Sequence, residues 1–251
     1  MKKCIVLILI LLFYGAMAYA RAIKAKDGSE MVYIPAGEFD MGSPYGEGYD
    51  NEHPPHRVYL DGYYMDKYLI TVAQYRRFCR LTGKRMPRQP LGWNMPNCPV
   101  VLKRWSDAKT YAKYYGLSLP TEAQWEKACK AGKNSTYFFG SDMSQLKDYA
   151  WYDEYGGYEP HPVGKKKPNK YGLYDIVGNV WQWCLDLYDD DYYDESPYKN
   201  PLGPYEGYGH VIRGYGWYGN VGCKSALRMW YSPGSGFLVG FRCVSNRNPG
   251  K

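Results

Sequence analysis

The sequence predicts an α+β fold of short helices and short strands joined by long ordered loops, built as one domain. Three observations lead there. Helix-capping signals bracket three apolar-periodic stretches between Thr71 and Gly132. Short apolar runs bounded by turn residues occur on either side of them. From Tyr137 onward, Gly, Pro, Asn and Asp recur too often for long helices.

Taken in order, residues 31–34 and 57–60 read as strands. A first helix is predicted over 71–80. Thr71 is its N-cap, Gln74 completes a capping box, and Tyr75, Phe78 and Cys79 form the apolar face. Gly83 can end it. Ser106 is expected to cap a second helix, whose Ala108, Tyr111, Ala112 and Tyr115 share one side before Gly116. Thr121 and Gln124 form another capping box, with Trp125, Ala128 and Cys129 facing inward and Gly132 as the stop. Residues 210–213 and 240–244 read as further strands. No internal repeat or flexible linker divides the chain.

Residues 1–20 read as an export signal. Lys2 and Lys3 form a basic end, residues 5–13 an apolar core, and Ala18-Tyr19-Ala20 a small-residue cleavage site. The apolar run is short for a bilayer, so the mature chain is expected to be exported, secreted, periplasmic or on the cell surface, and not membrane-spanning. The predicted organisation is a signal peptide over 1–20, an N-terminal segment over 21–30, the domain over 31–245 and a tail over 246–251. Removal of the signal lowers the whole-chain charge of +7 by two and removes Cys4. Acidic and basic residues are interleaved, so no stripe for nucleic acid exists. Six cysteines remain: Cys79, Cys98, Cys129, Cys184, Cys223 and Cys243. Export makes disulfides reasonable, while small buried thiols are an equal alternative. No metal-finger spacing is present.

The chain carries 29 Tyr and 8 Trp against 7 Phe. Tyrosine buries a ring while keeping a polar tip, so it suits binding faces as well as a loop-rich core. The segment from Tyr188 to Tyr231 alternates Tyr and Trp with Gly, Ser and Asn, the vocabulary of adaptable recognition.

Several motifs occur in a fixed order. Residues 31–43 read MVYIPAGEFDMGS, 119–126 read LPTEAQWE, 171–183 read YGLYDIVGNVWQW, 213–217 read RGYGW, and 239–243 read VGFRC. With His56-Arg57-Val58, Asp66-Lys67-Tyr68 and residues 71–78, they resemble the formylglycine-generating (sulfatase-modifying factor) enzyme superfamily over nearly the whole mature chain. That resemblance implies an elaborated C-type-lectin-like α+β domain. It also implies a catalytic serine and a closely spaced copper-binding cysteine pair. Here Gly216 stands at the serine position, and Cys223 is the one cysteine between Trp217 and Arg228. A lone thiolate lacks the second soft ligand for Cu(I), so no copper is expected. Cys223 lies nearer the family's structural-disulfide position. The family's calcium loop would place Asn179, the carbonyls of Val177 and Val180, and Gln182 around a cation. Gln182 replaces a family Glu, so only a weak Ca²⁺ site is expected, or a simple tight turn.

The resulting expectation is a non-catalytic recognition protein for a protein or glycan ligand. Its candidate contact residues are Tyr215, Trp217, Tyr218, Gly219, Asn220, Gly222, Leu227, Trp230, Tyr231, Phe237 and Leu238. Variable proteins diversified by retroelements share the lectin-like fold, and most of these residues, with Gly234 and Gly236, fit the output of mutated Asn codons. Trp217, Lys224, Met229 and Trp230 would then be constant. The alternatives are a formylglycine-generating oxidoreductase and a structural surface protein.

Overall fold

A computed structural model describes residues 22–90, 94–152, 157, 159–216, 222–231 and 239–250. The expected export signal therefore lies outside the described residues. Among the described residues, no helix is long and apolar enough to cross a membrane.

The chain begins with β1 (Ile23–Lys24), β2 (Glu30–Ile34), β3 (Gly37–Met41), β4 (His56–Leu60) and β5 (Tyr63–Asp66). Three helices follow: α1 (Val72–Thr82), α2 (Trp105–Tyr114) and α3 (Glu122–Lys130). A short α4 (Leu146–Tyr149) precedes the long strand β6 (Trp181–Leu187). Then come α5 (Tyr192–Glu195), β7 (His210–Arg213), β8 (Arg228–Tyr231), β9 (Val239–Gly240) and β10 (Val244–Ser245). One sheet runs β1-β2-β5-β10, a hairpin pairs β3 with β4, and a second sheet runs β8-β7-β6-β9. Only β9 joins its neighbour in parallel among the described pairings of that sheet. This is the α+β class that the sequence predicts.

Both expected capping boxes form. Thr71 and Thr121 accept from the backbone of Gln74 and Gln124, whose side chains accept from the cap N–H groups in return. Gly83 closes α1 in the left-handed conformation, with φ 70°. The second helix differs from expectation. It starts at Trp105 after an extended Arg104, and no side chain caps it. Ser106 lies inside the first turn, where its carbonyl accepts from Thr110 Oγ1 at 2.6 Å. Trp105 is instead held by its indole N–H, which donates to the Cys184 carbonyl at 2.8 Å.

The strand expected over 240–244 is divided between two sheets. Val239–Gly240 pairs with β6, and Val244–Ser245 pairs with β5. Phe241 and Val244 are buried in separate apolar clusters, and the chain crosses between them. Arg242 occupies the crossing and donates to the carbonyls of Asp66, Tyr174 and Asp175 at 2.8–2.9 Å.

Both faces of the β6 sheet are covered. Ile212, Met229 and Tyr231 turn to one cluster, while Val211 and Trp230 turn to the other. The period of two along each strand therefore sorts side chains between two cores, not between core and solvent. Tyr75, Phe78, Tyr111 and Phe241 fill one cluster with edge and stacked ring contacts at 5.2–6.4 Å. Many tyrosines are thus structural. All six cysteines carry free thiols and are buried, so of the two sequence readings the structure shows buried thiols.

Candidate functional site

An ion network lies beneath the C-terminal candidate surface. The α3 capping box sets Glu122 and Glu126 four residues apart on one helical face. Strand pairing sets Arg213 opposite Arg228. Arg228 clamps Glu122 with two bonds, at 2.9 and 3.0 Å, and its Nη1 donates to the carbonyls of Asn51 and Asp189. Arg213 pairs with Glu126, and its Nη1 donates to the Ala226 carbonyl at 2.6 Å. Lys130 reaches the other oxygen of Glu126 at 2.8 Å, where the Gly42 N–H also donates. All five charged groups are buried. Burial pulls the Arg213 guanidinium down, but Glu126, Tyr193 and Glu122 together more than offset this and hold it above its ordinary value. The rings of Trp125, Tyr188 and Tyr193 cover the two guanidinium groups at 4.2–5.1 Å.

Gln182, on β6, is a second hub. Its Oε1 accepts from Trp125 Nε1 at 3.0 Å and from Arg242 Nε at 2.8 Å. Its Nε2 donates to the carbonyls of Asp175 and Ile176 at 3.2 and 2.9 Å. Both lone pairs of the amide oxygen are taken, so Gln182 has none for a cation. In this arrangement Gln182 ties β6 to α3 and to Arg242. Two carbonyls meet an amide N–H pair where a cation would otherwise neutralise them. Arg242 beside it is pushed down to about 10 by burial.

Asn179 occupies a left-handed turn with φ 63°, as the Gly178-Asn179 reading anticipates. Its Oδ1 accepts from the His161 N–H at 3.0 Å, and its Nδ2 donates to the His161 carbonyl and to Asp175 Oδ1. Val177 and Val180 are buried in apolar clusters, although their carbonyls remain acceptors. Among the described residues, no group of three or more His, Cys, Asp or Glu side chains converges as a metal site. Addition of 0.1 mM calcium is therefore expected to move the melting temperature by less than about 1 °C relative to chelator, because ligand stabilisation is small below Kd. Differential scanning fluorimetry checks this, and a shift of several degrees would show a competent site.

Of the candidate contact residues, Tyr215, Gly222, Leu227, Trp230 and Tyr231 are described, while Trp217, Tyr218, Gly219, Asn220, Phe237 and Leu238 lie outside the described residues, as do Gly234 and Gly236. The described ones divide by role. Leu227 and Tyr231 are core residues, 5% and 9% exposed, and Tyr231 packs edge-on against Trp183 at 4.9 Å. Gly222 makes room: a Cβ there would lie 2.0 Å from the Tyr215 ring. Leu227, Tyr231 and Gly222 are thus corrected from contact residues to supports. Tyr215 is half-buried at φ 61°, a strained conformation for an aromatic residue, with its ring tilted on Trp181 at 5.1 Å. Trp230 is half-buried and meets Tyr208 at 6.0 Å.

The structure adds residues that sequence reasoning passed over. Tyr205 is 103% exposed, Tyr208 is 68% exposed beside Trp230, and Tyr49 and Lys224 approach each other at 5.9 Å. The Gly207 and Gly209 that flank Tyr208 were the available signal, since the backbones of Tyr188 and Tyr231 would meet any Cβ there at 2.4 and 2.7 Å.

The family profile described as "Sulfatase-modifying factor enzyme 1-like domain" matches residues 15–247. The chain belongs to this family. It is similar to the formylglycine-generating enzyme of Streptomyces coelicolor, at 29% identity over 90% of this chain and 92% of that one. It is also similar to the solved structure of PvdO from Pseudomonas aeruginosa, with TM-score 0.78, 26% identity, and 88% and 96% of the two chains covered. Treponema denticola variable protein 1 matches with TM-score 0.73 at 26% identity, covering 87% of this chain and 95% of that one.

Against the family motifs, the positions of the serine and the cysteine pair are met by Gly216 and Cys223. Gly216 stands where the family serine would be, in ordinary backbone conformation, and an added Cβ would lie 3.4 Å from Trp181 Cδ1. Packing therefore leaves room for a side chain that the sequence omits. Cys223 is wholly buried in the apolar cluster that also holds Cys129. Burial pushes the Cys223 thiol far up and the Cys129 thiol up to about 12. Burial of this kind disfavours the thiolate, the form that acts as a nucleophile.

Proposed function

We propose that this family member is an exported, non-catalytic recognition domain whose ligand, a protein or a glycan, docks on the aromatic rim around Tyr215, Trp230, Tyr205 and Tyr208. The observation that carries the reading is the pairing of Gly216 with a single, core-buried Cys223. The family reaction has neither its serine nor a second accessible thiol here. Beneath the rim, the buried Arg213–Glu126 and Arg228–Glu122 pairs hold β7 and β8 rigidly. Rigid aromatics on an ordered base lose little entropy on binding.

The likeness to a variable protein of Treponema denticola supports the finer reading that the C-terminal surface is diversified. In that reading Tyr218, Gly219, Asn220, Phe237 and Leu238 vary, while Leu227 and Tyr231 are held constant by the core. A nearby near-repeat of codons 213–242 beside a reverse transcriptase gene would support it, and its absence would remove it.

The binding test begins with glycan and protein arrays probed with the mature chain. For a hit, joint substitution Tyr205→Ala and Tyr208→Ala is expected to weaken binding by about 2 kcal/mol, some thirtyfold. The melting temperature should stay within about 1 °C, because both rings are exposed. Binding that survives intact would place the ligand elsewhere.

A further inference from the structure

A second concave site lies away from the rim and shares none of its residues. It is a groove of about 920 Å³, at the upper end of the size of ligand sites. It is built by the β4–β5 turn at Asp61 and Gly62, the α2–α3 connection, the stretch 200–202 and the chain from Val244 to Pro249, with Lys26 after β1 and Leu185 of β6. Its apolar walls are aliphatic: Leu60, Leu117, Leu119, Leu185, Leu202 and Val244. Leu202 is 69% exposed at the rim of the groove. Tyr115 is the one aromatic residue in the lining, and it is itself buried. A flat sugar ring has no open aromatic face to stack on here.

The charges of the lining are unbalanced, with Lys26 and Arg247 against Asp61. Each asparagine amide oxygen holds one hydrogen bond. Asn200 Oδ1 accepts from the Asp61 N–H, Asn246 Oδ1 from Gln124, and Asn248 Oδ1 from the Gly250 N–H, at 3.0–3.2 Å. The one carboxylate of the lining, Asp61, is bonded through Oδ2 by Asn200 Nδ2 at 2.8 Å. Donors are open as well. The NH₂ groups of Asn246 and Asn248 have no partner among the described residues, and Lys26 and Arg247 have no carboxylate within salt-bridge distance there. Two unpaired cations against one carboxylate favour an occupant that brings negative charge beside aliphatic groups.

We infer that this groove binds a short acidic peptide segment in which Leu-like side chains alternate with carboxylates. The aliphatic side chains fill the walls, and the carboxylates meet Lys26 and Arg247. The inference is independent of the rim, since no rim residue lines the groove.

Fluorescence anisotropy tests it with the full mature chain. The probes are fluorescein-labelled hexapeptides alternating Leu with Glu, with Gln and with Lys, and octanoate serves as competitor. The Leu–Glu peptide is expected to bind, and the other two to bind at least about tenfold more weakly. Joint Lys26→Ala and Arg247→Ala substitution should cost about tenfold and reduce the salt dependence. Leu202→Glu should weaken binding comparably, and since this side chain is exposed the fold is retained. The Tyr205→Ala, Tyr208→Ala variant should bind the peptide unchanged. Equal binding of the Leu–Gln peptide, no binding of any peptide, or displacement by octanoate at submillimolar concentration overturns the proposal. Loss of peptide binding in the Tyr205/Tyr208 variant would assign the peptide to the rim and also overturn it.

Discussion

Glu126→Ala is expected to destabilise the domain by about 3–5 kcal/mol, the largest single effect in the molecule. The carboxylate is wholly buried and is shared by Arg213, Lys130 and the Gly42 N–H. Its removal leaves buried Lys130 without a counter-charge, Arg213 with Glu122 alone at 3.6 Å, and one backbone donor without its acceptor. Deleting one partner of such a network costs more than the network contributes, because the orphaned charges cannot reach water. Urea unfolding checks this: the midpoint should fall with an unchanged slope. The pH dependence follows from the same pairs. Burial pushes Glu126 up, but Lys130 and Arg213 together hold it below its ordinary value. A carboxylate whose folded value is depressed contributes stability above its unfolded value. That stability is lost as pH falls through the folded value. The acid limb of the stability curve should therefore be flatter in Glu126→Ala than in the parent.

Tyr231→Ala is expected to cost about 3 kcal/mol of stability, as large-to-small changes in aromatic cores do. Its ring packs against Trp183 within the cluster that also holds Ile212 and Phe241. Truncation opens a cavity between the β6 sheet and α2, which close packing on both faces cannot easily refill. By contrast, Tyr208→Ala should be within about 0.5 kcal/mol of the parent, because its ring is mostly exposed. The pair separates the supports of the rim from its contact surface. Equal stability losses in the two variants would mean that Tyr208 is also packed.

The contrast between Tyr208 and Tyr231 also marks what was legible in the sequence. The α1 and α3 starts were readable because a capping box is a local device: Thr71 and Gln74, or Thr121 and Gln124, need only each other. The start of α2 was not. Trp105 is positioned by a carbonyl 79 residues away, and no local cap exists to announce it. Gln182 reads in sequence as a weakened metal ligand. Its actual role depends on Trp125 and Arg242, 57 and 60 residues distant, which convert its amide into the centre of a hydrogen-bonded core. Leu227 and Tyr231 share the residue types of a binding loop, but β8 is packed on both faces, and residue type alone does not record that.

The central claim is that the domain keeps the family scaffold without its reaction. The measurement that tests it most directly is mass spectrometry of a sulfatase-derived peptide after incubation with the purified mature protein, copper, reductant and oxygen. The account predicts that the target cysteine keeps its mass, with no formylglycine product at any enzyme concentration. Multiple turnovers of cysteine to formylglycine, dependent on the protein and on copper, would contradict it.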